Sequence, residues 1–454
     1  FKEKYLLTVT LRTDGASVFS KNNKWATFPS ASIGWNIAEE AFMANLRDVI
    51  PQLKLRLGYG QTGNSSLTYI LVEDALFSTS AFSSYIAYPG YVSGSDKPLI
   101  AVSLARLENP DLKWETTTET NLGMDFTLLK GRFYGSFDIF NRVISDLLQV
   151  KPINSYHEIN KVISNIGKTQ SRGFEFTLNA NVIRGNSFNW KTTFNISRLK
   201  DTWKERAPDW KPAVYESVKD PIRSNYARVA DGIMQIGETV AAQPELIPGQ
   251  IKIKDINGYE RDNLGNPVVD ENGFFLRTGQ PDGIIDDADT RLIGTTDPSC
   301  IAGLSNSLTY KNLNLNFHFN GMFGRQLEDP NDAAYGITAD GIYTFGNNAL
   351  RSVKNRWTPE NPSTTRPGSF YGYSPYGSGD FFLQDAWFIR LQNVSLGYTL
   401  PGKWLKDLAS ITVHADVDNL FIITPYKGVD PETDSYTAAY PNVRTYTFGL
   451  NVKF

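Results

Sequence analysis

Between positions 312 and 320, Asn312, Asn314, Asn316, His318 and Asn320 alternate strictly with Leu313, Leu315, Phe317 and Phe319. Period-two alternation is the signature of a β-strand with one face in an apolar medium and the other in a polar one. The same pattern runs through Phe174 to Asn179, Phe188 to Ile196, Thr120 to Leu128 and Ile411 to Asp418. At the end of the sequence, Tyr446, Phe448, Leu450, Val452 and Phe454 alternate with polar or small residues. Soluble sandwiches and membrane barrels both use such strands, and length separates the two. These runs extend for about nine to twelve residues, the span of a tilted membrane strand, whereas soluble strands average about five or six.

Composition narrows the choice further. Of 454 residues, 20% are charged and 13% aromatic, with 36 glycines, which suits many strands joined by polar loops rather than a helical enzyme. The net charge of -3 leaves no basic footprint for nucleic acid. The single cysteine, Cys300, excludes an internal disulfide and a cysteine-based zinc cluster. No run of about 18 apolar residues is present, so a bilayer crossing must be made by strands.

The connections alternate between long and short. Residues 14–25, 61–113, 143–169, 199–299, 324–382 and 420–442 form loops, most of them long. Residues 38–51, 130–131, 184–186, 311–312 and 400–410 are short links or tight turns. Outer-membrane barrels keep this rhythm, with short periplasmic turns and long external loops, and sandwiches have no reason to. The count is about twelve strands, the first running outward. An open set of strands leaves two edges that lipid cannot satisfy, so the chain is either a complete small barrel or part of a larger one. On this reading residues 1–454 are barrel, with 199–299 a long extracellular insertion.

A set of ordered motifs carries a family resemblance. Arg12-Thr13-Asp14-Gly15-Ala16-Ser17 precedes Asn22-Asn23-Lys24-Trp25-Ala26-Thr27-Phe28-Pro29-Ser30 and Gly34-Trp35. Leu53 to Asn64, Asn109-Pro110-Asp111-Leu112-Lys113-Trp114-Glu115, Asn165-Ile166-Gly167, Ser171-Arg172-Gly173-Phe174-Glu175 and Ile389 to Tyr398 follow. Together they resemble the SusC/RagA family of TonB-dependent outer-membrane transporters over essentially the whole chain. The resemblance implies an all-β transmembrane antiparallel β-barrel of 22 strands, of which this chain is the C-terminal twelve or so. It implies an outer-membrane location in a Gram-negative bacterium, surrounded by membrane lipids. It also implies import of oligosaccharides or peptides together with a SusD-like surface lipoprotein. TonB would act through a missing N-terminal portion that also carries the plug and the rest of the barrel. Two other functions stay open: a structural or docking barrel in an outer-membrane complex, and a complete small passive pore or outer-membrane enzyme.

Three groups of residues are candidates for binding or assembly. Lys254-Asp255-Ile256-Asn257-Gly258 and Asp282-Gly283-Ile284-Ile285-Asp286-Asp287-Ala288-Asp289 are two halves of a calcium-loop pattern. About two dozen residues interrupt it, and Asp270-Glu271-Asn272-Gly273 among them is a hairpin-turn signal that would bring the halves together. Asp255, Asn257, Asp282, Asp286 and Asp289 are the expected ligands of a structural Ca2+. Loop aromatics Tyr371, Tyr373, Tyr376, Phe381, Tyr85 and Tyr88 are candidates for contact with ligand or lid protein. Gly449, Val452 and Phe454 resemble a C-terminal signal for barrel assembly. His157, His318 and His414 lack metal-ligand spacing, and no nucleophile or acid/base motif surrounds them, so no catalytic residue is named. Trp35, Trp190, Trp387, Tyr398 and Trp404 suit interfacial aromatic girdles.

Overall fold

The computed structural model describes residues 1–66, 76–80, 101–106, 109–153, 161–208, 210–217, 219–271, 273–329, 332, 349–370, 379–405, 409–433 and 440–454. Twelve long strands form one sheet: β1 (Tyr5–Gly15), β2 (Trp25–Asn36), β3 (Gln52–Asn64), β4 (Glu115–Leu128), β5 (Phe133–Ser145) and β6 (Lys168–Arg184). It continues with β7 (Phe188–Glu205), β8 (Cys300–Tyr310), β9 (Leu313–Phe323), β10 (Phe388–Thr399), β11 (Ser410–Ile423) and β12 (Thr445–Lys453). Every strand pairs antiparallel with its neighbour in sequence, and β1 and β12 are the two edges. An up-and-down meander of this kind, with strands of 9 to 18 residues, is the architecture of an outer-membrane barrel wall.

Register explains the two faces. Directly paired residues share a face of the sheet. Leu7, Ile33, Leu57, Leu122, Ile139 and Phe174 are successive partners across six strands. Leu308, Leu315, Leu396, Ala415 and Phe448 form a comparable row at the other end of the sheet. Phe174, Phe176, Leu178, Leu313, Leu315, Phe317, Phe319, Phe448, Leu450 and Val452 all fall on this apolar face. Phe448 is 80% exposed and Leu7 71%, which is intelligible for side chains immersed in lipid and costly in water. The interleaved residues, among them Glu175, Asn316, His318, Thr447 and Asn451, face the other way. There Arg56 bonds both Asp125 and Asp138, and Arg142 bonds Glu119.

The short links lie at one end of the sheet. Lys311, with φ 52°, makes the left-handed turn between β8 and β9, while 129–132 and 185–187 close β4–β5 and β6–β7. At the other end, the 206–299 connection is shorter than expected. Residues 199–205 belong to β7, where Leu199 pairs with Gly173 and Asp201 with Ser171. Ladder hydrogen bonds need no apolar side chains, so the strand outlasts the alternation that reveals it.

Candidate ligand cavity and its loop supports

Above the sheet, the family motifs hold the loop bases together. Asn165 Nδ2 donates to the carbonyls of Lys113 and Asp146, and its Oδ1 accepts from Lys113 N at 2.8 Å. Asn109 Nδ2 reaches Ile163 O at 2.7 Å. Beneath these bonds Phe19, Phe28, Leu112 and Trp114 form a buried cluster, with Trp114 Nε1 donating to Lys24 O. Three connections far apart in sequence, 16–24, 65–114 and 146–167, are thereby tied at one point.

The two calcium-loop halves meet. Between them Glu260, Val268 and Leu276 exchange backbone hydrogen bonds, and Gly273 N donates to Asp270 O, making the hairpin that the turn signal predicts. Asp255 Oδ2 accepts from Gly283 N at 2.7 Å and Oδ1 from Asp282 N at 3.3 Å. A side chain at Gly258 would place its Cβ 2.6 Å from Asp282 Oδ2, so only glycine permits this closure. All five candidate side chains accept hydrogen bonds from backbone amides, Asp282 from Ile284 N at 3.0 Å. Asn257 Oδ1 accepts from Gly258 N and Gly279 N. Asp289, fully buried, accepts from Ile256 N, Asn257 N and Asp286 N. Asp286 caps the short 3-10 helix Asp287–Asp289 through Ala288 N at 2.8 Å. Among the described residues no group of three or more His, Cys, Asp or Glu side chains is placed to hold a metal ion. The carboxylates act here as caps for backbone amides, a role that the sequence pattern does not distinguish from ligation.

This turn forms one wall of a cavity of about 870 Å3 built from the connections after β7, β9 and β11. Arg228 joins the two, with Nε on Asp286 O at 3.1 Å and Nη2 on Asp287 Oδ1 at 3.2 Å. Tyr215, Tyr226 and Tyr426 line the space with Arg223, Gln326 and Asp380. The Tyr215 and Tyr226 rings lie 5.1 Å apart. Burial, and then a 2.7 Å bond donated to Asp220, pushes the Tyr226 hydroxyl far up from its ordinary pKa. Burial and the charge of Asp329 push Tyr426 up to about 12. Both phenols are therefore neutral at any physiological pH, amphipathic surfaces suited to sugar rings or peptide. No motif marks these residues, which come together from as far apart as Tyr215 and Tyr426.

The candidate aromatics Tyr371, Tyr373, Tyr376, Tyr85 and Tyr88 lie outside the described residues, as does His157. Phe381 is described: it packs on the buried pair Ile251 and Phe382, its ring 5.2 Å from that of Phe382. His318 Nδ1 shares a 2.8 Å hydrogen bond with Ser305 Oγ, and His414 Nε2 stands 3.6 Å from Asp416. At the last strand, Gly449 leaves room for the His414 imidazole, and Phe454 is wholly exposed.

The family described as TonB dependent receptor-like, beta-barrel matches residues 1–229. TonB-dependent receptor P3 of Formosa agariphila is 31% identical over 477 residues, covering 100% of this chain and 44% of the relative. TonB-dependent receptor SusC of Bacteroides thetaiotaomicron is 30% identical, covering 99% of this chain and 42% of the relative. Among solved structures, the RagAB peptide importer in its 'closed-closed' state superposes with a TM-score of 0.77 at 23% identity. That match covers 99% of this chain and 46% of the other, and the likeness is one of fold. The chain thus spans less than half the length of these relatives.

Proposed function

The chain belongs to the TonB-dependent receptor-like β-barrel family, of SusC/RagA type, in the outer membrane of a Gram-negative bacterium, and on that premise we propose that it forms the wall and loop vestibule of an energised importer. Its cargo is an oligosaccharide or peptide, received from a SusD-type surface lipoprotein and moved inward by work delivered through TonB and a plug. The observation that carries this reading is the tyrosine-lined cavity at the loop end of a sheet whose other face is polar. A neutral aromatic surface with hydroxyl groups grips polymers of either class without demanding a charge. The test is uptake of labelled oligosaccharides and peptides by cells carrying the full gene product, with and without functional TonB. Uptake that is lost with TonB and weakened by Tyr226→Ala supports the reading. Uptake indifferent to TonB points instead to a passive pore.

Calcium at the acidic turn is a separate proposal, supported by the all-oxygen donor set and by the meeting of Asp255 with the 282–283 segment. Its role would be structural, holding the 206–299 connection in one shape beside the cavity. Limited proteolysis of this connection in Ca2+ and in EDTA decides it. Equal cleavage under both conditions leaves the hydrogen-bonded caps as the whole explanation.

A further inference from the structure

The apolar face changes character at its loop end. The row Leu57, Leu122, Ile139 and Phe174 meets Arg198 on β7, directly opposite Phe174. The next row outward, about 7 Å further along the strands, reads Tyr59, Thr120, Asn141, Arg172 and Lys200. Three cations therefore share the lipid-facing side at its external margin. Arg172 and Lys200 are direct cross-strand partners, an arrangement of like charges that is unfavourable by itself.

None of the three has a carboxylate partner among the described residues, and Arg172 Nε is oriented by the neutral Asn141 Oδ1 at 3.1 Å. Neighbouring cations are treated differently. Lys168, further out on the same face, pairs with Glu205 at 2.6 Å, and on the polar face Arg56 and Arg142 are both paired with carboxylates. Beside the three cations lies a groove of about 550 Å3, floored by Leu122, Ile139 and Phe174 and walled by Phe137. Its lining is overwhelmingly apolar below and basic at one end. An apolar channel that ends in uncompensated positive charge at the membrane margin is complementary to an amphiphile with an anionic head.

We propose that Arg172, Arg198 and Lys200 hold the phosphate-bearing head group of a lipid of the outward-facing leaflet, with its acyl chains along the Leu122–Ile139–Phe174 groove. The bound phosphate supplies the counter-charge that the fold omits. It also fixes the sheet at a definite depth, with the loop cavity clear of the bilayer.

The test uses the full gene product, purified from outer membranes in mild detergent, with bisphosphorylated lipid A as the probe. Native mass spectrometry measures its retention by the wild type, by Arg172→Gln/Arg198→Gln/Lys200→Gln, by Lys200→Gln alone, and by the polar-face control Arg142→Gln. Each cation near the surface contributes about fivefold, so the triple variant should lose affinity by about a hundredfold and the single by about fivefold. The control should match the wild type, and dephosphorylated lipid A should bind the wild type as weakly as the phosphorylated form binds the triple variant. Heat-modifiability on electrophoresis confirms that each variant is folded. Equal retention by folded triple variant and wild type would overturn the proposal. Complete displacement of the lipid by an equal concentration of inorganic phosphate would overturn the role of the groove.

Discussion

Asp430 anchors the connection between β11 and β12. Arg390, on the polar face of β10, is 4% exposed and Asp430 is 7% exposed. Arg390 Nη2 donates to both carboxylate oxygens, at 2.8 and 2.9 Å. Asp430 Oδ1 also accepts from Glu432 N at 2.9 Å, so the same side chain neutralises the guanidinium and shapes the turn. Asp430→Ala leaves a buried cation with one remaining acidic neighbour among the described residues. That neighbour, Glu432, lies 3.3 Å from Arg390 Nε but out of hydrogen-bond alignment, and is about one-third exposed. Breaking a buried pair costs about 3–5 kcal/mol, and residual compensation by Glu432 places this case at the lower end, about 3 kcal/mol. A loss of this size raises the population of the open loop about a hundredfold. Amide hydrogen exchange over residues 424–433 in the detergent-solubilised protein should show that loss of protection, with the strands unchanged. Replacing both partners, Arg390→Met with Asp430→Leu, should recover most of it, because two apolar groups leave no stranded charge. Undiminished protection in Asp430→Ala would refute the reasoning, since the loop would then be held elsewhere.

Other consequences are equally open to measurement. Phe317→Arg puts a cation on the lipid face, where the ring now packs edge-on against Phe319 at 5.9 Å; urea unfolding from lipid should reveal a cost of about 2–4 kcal/mol at mid-bilayer depth. In the link after β2, bonds donated to Glu40 by Tyr5, Lys4 and Trp35 hold its carboxyl down to about 2 from an ordinary 4.5. A depressed folded value stabilises this contact above the ordinary range, and the contribution fades as pH falls from about 4.5 through about 2. Trp35 fluorescence should titrate near the lower value in the wild type and lose that transition in Glu40→Gln; a midpoint near 4.5 would contradict the assignment. Deleting Phe454 should lower the folded, heat-modifiable population in the outer membrane, and unchanged assembly would remove the terminal residues from any signalling role.

The strands were legible because alternation at period two is written by the two media on either side of the sheet. Leu313 to Asn320 shows it with hardly an exception. The rhythm of long and short connections was legible for a related reason, since turns such as Lys311–Asn312 leave room for nothing else. Strand ends were not, because Arg198 to Glu205 continues the ladder after its side chains cease to alternate. The cavity was invisible for a different reason. Tyr226 and Tyr426 owe their proximity to three loops returning to one end of the sheet, and nothing local to either residue records that. Asp289 shows a third limit of the pattern. An oxygen that caps backbone amides and one that ligates calcium demand the same residue type at the same spacing, so the pattern alone names both.

The positions of the recognisable motifs follow from what each part of such a barrel must do. Asn109, Asn165 and Trp114 act where the loops leave the strands, and their bonds go mostly to backbone carbonyls and amides. A knot of this kind works whatever the loop beyond it contains. Arg390 and Asp430 do the same for the last external connection, and Arg325 adds a 3.0 Å bond to Pro431 O beside them. With the loop bases fixed this firmly, the loop tips and the cavity wall are where, on the proposed function, cargo would be distinguished. If the barrel imports cargo as proposed, disrupting a knot should disturb uptake of every cargo alike, whereas changing Tyr226 or Tyr426 should alter which cargo is preferred.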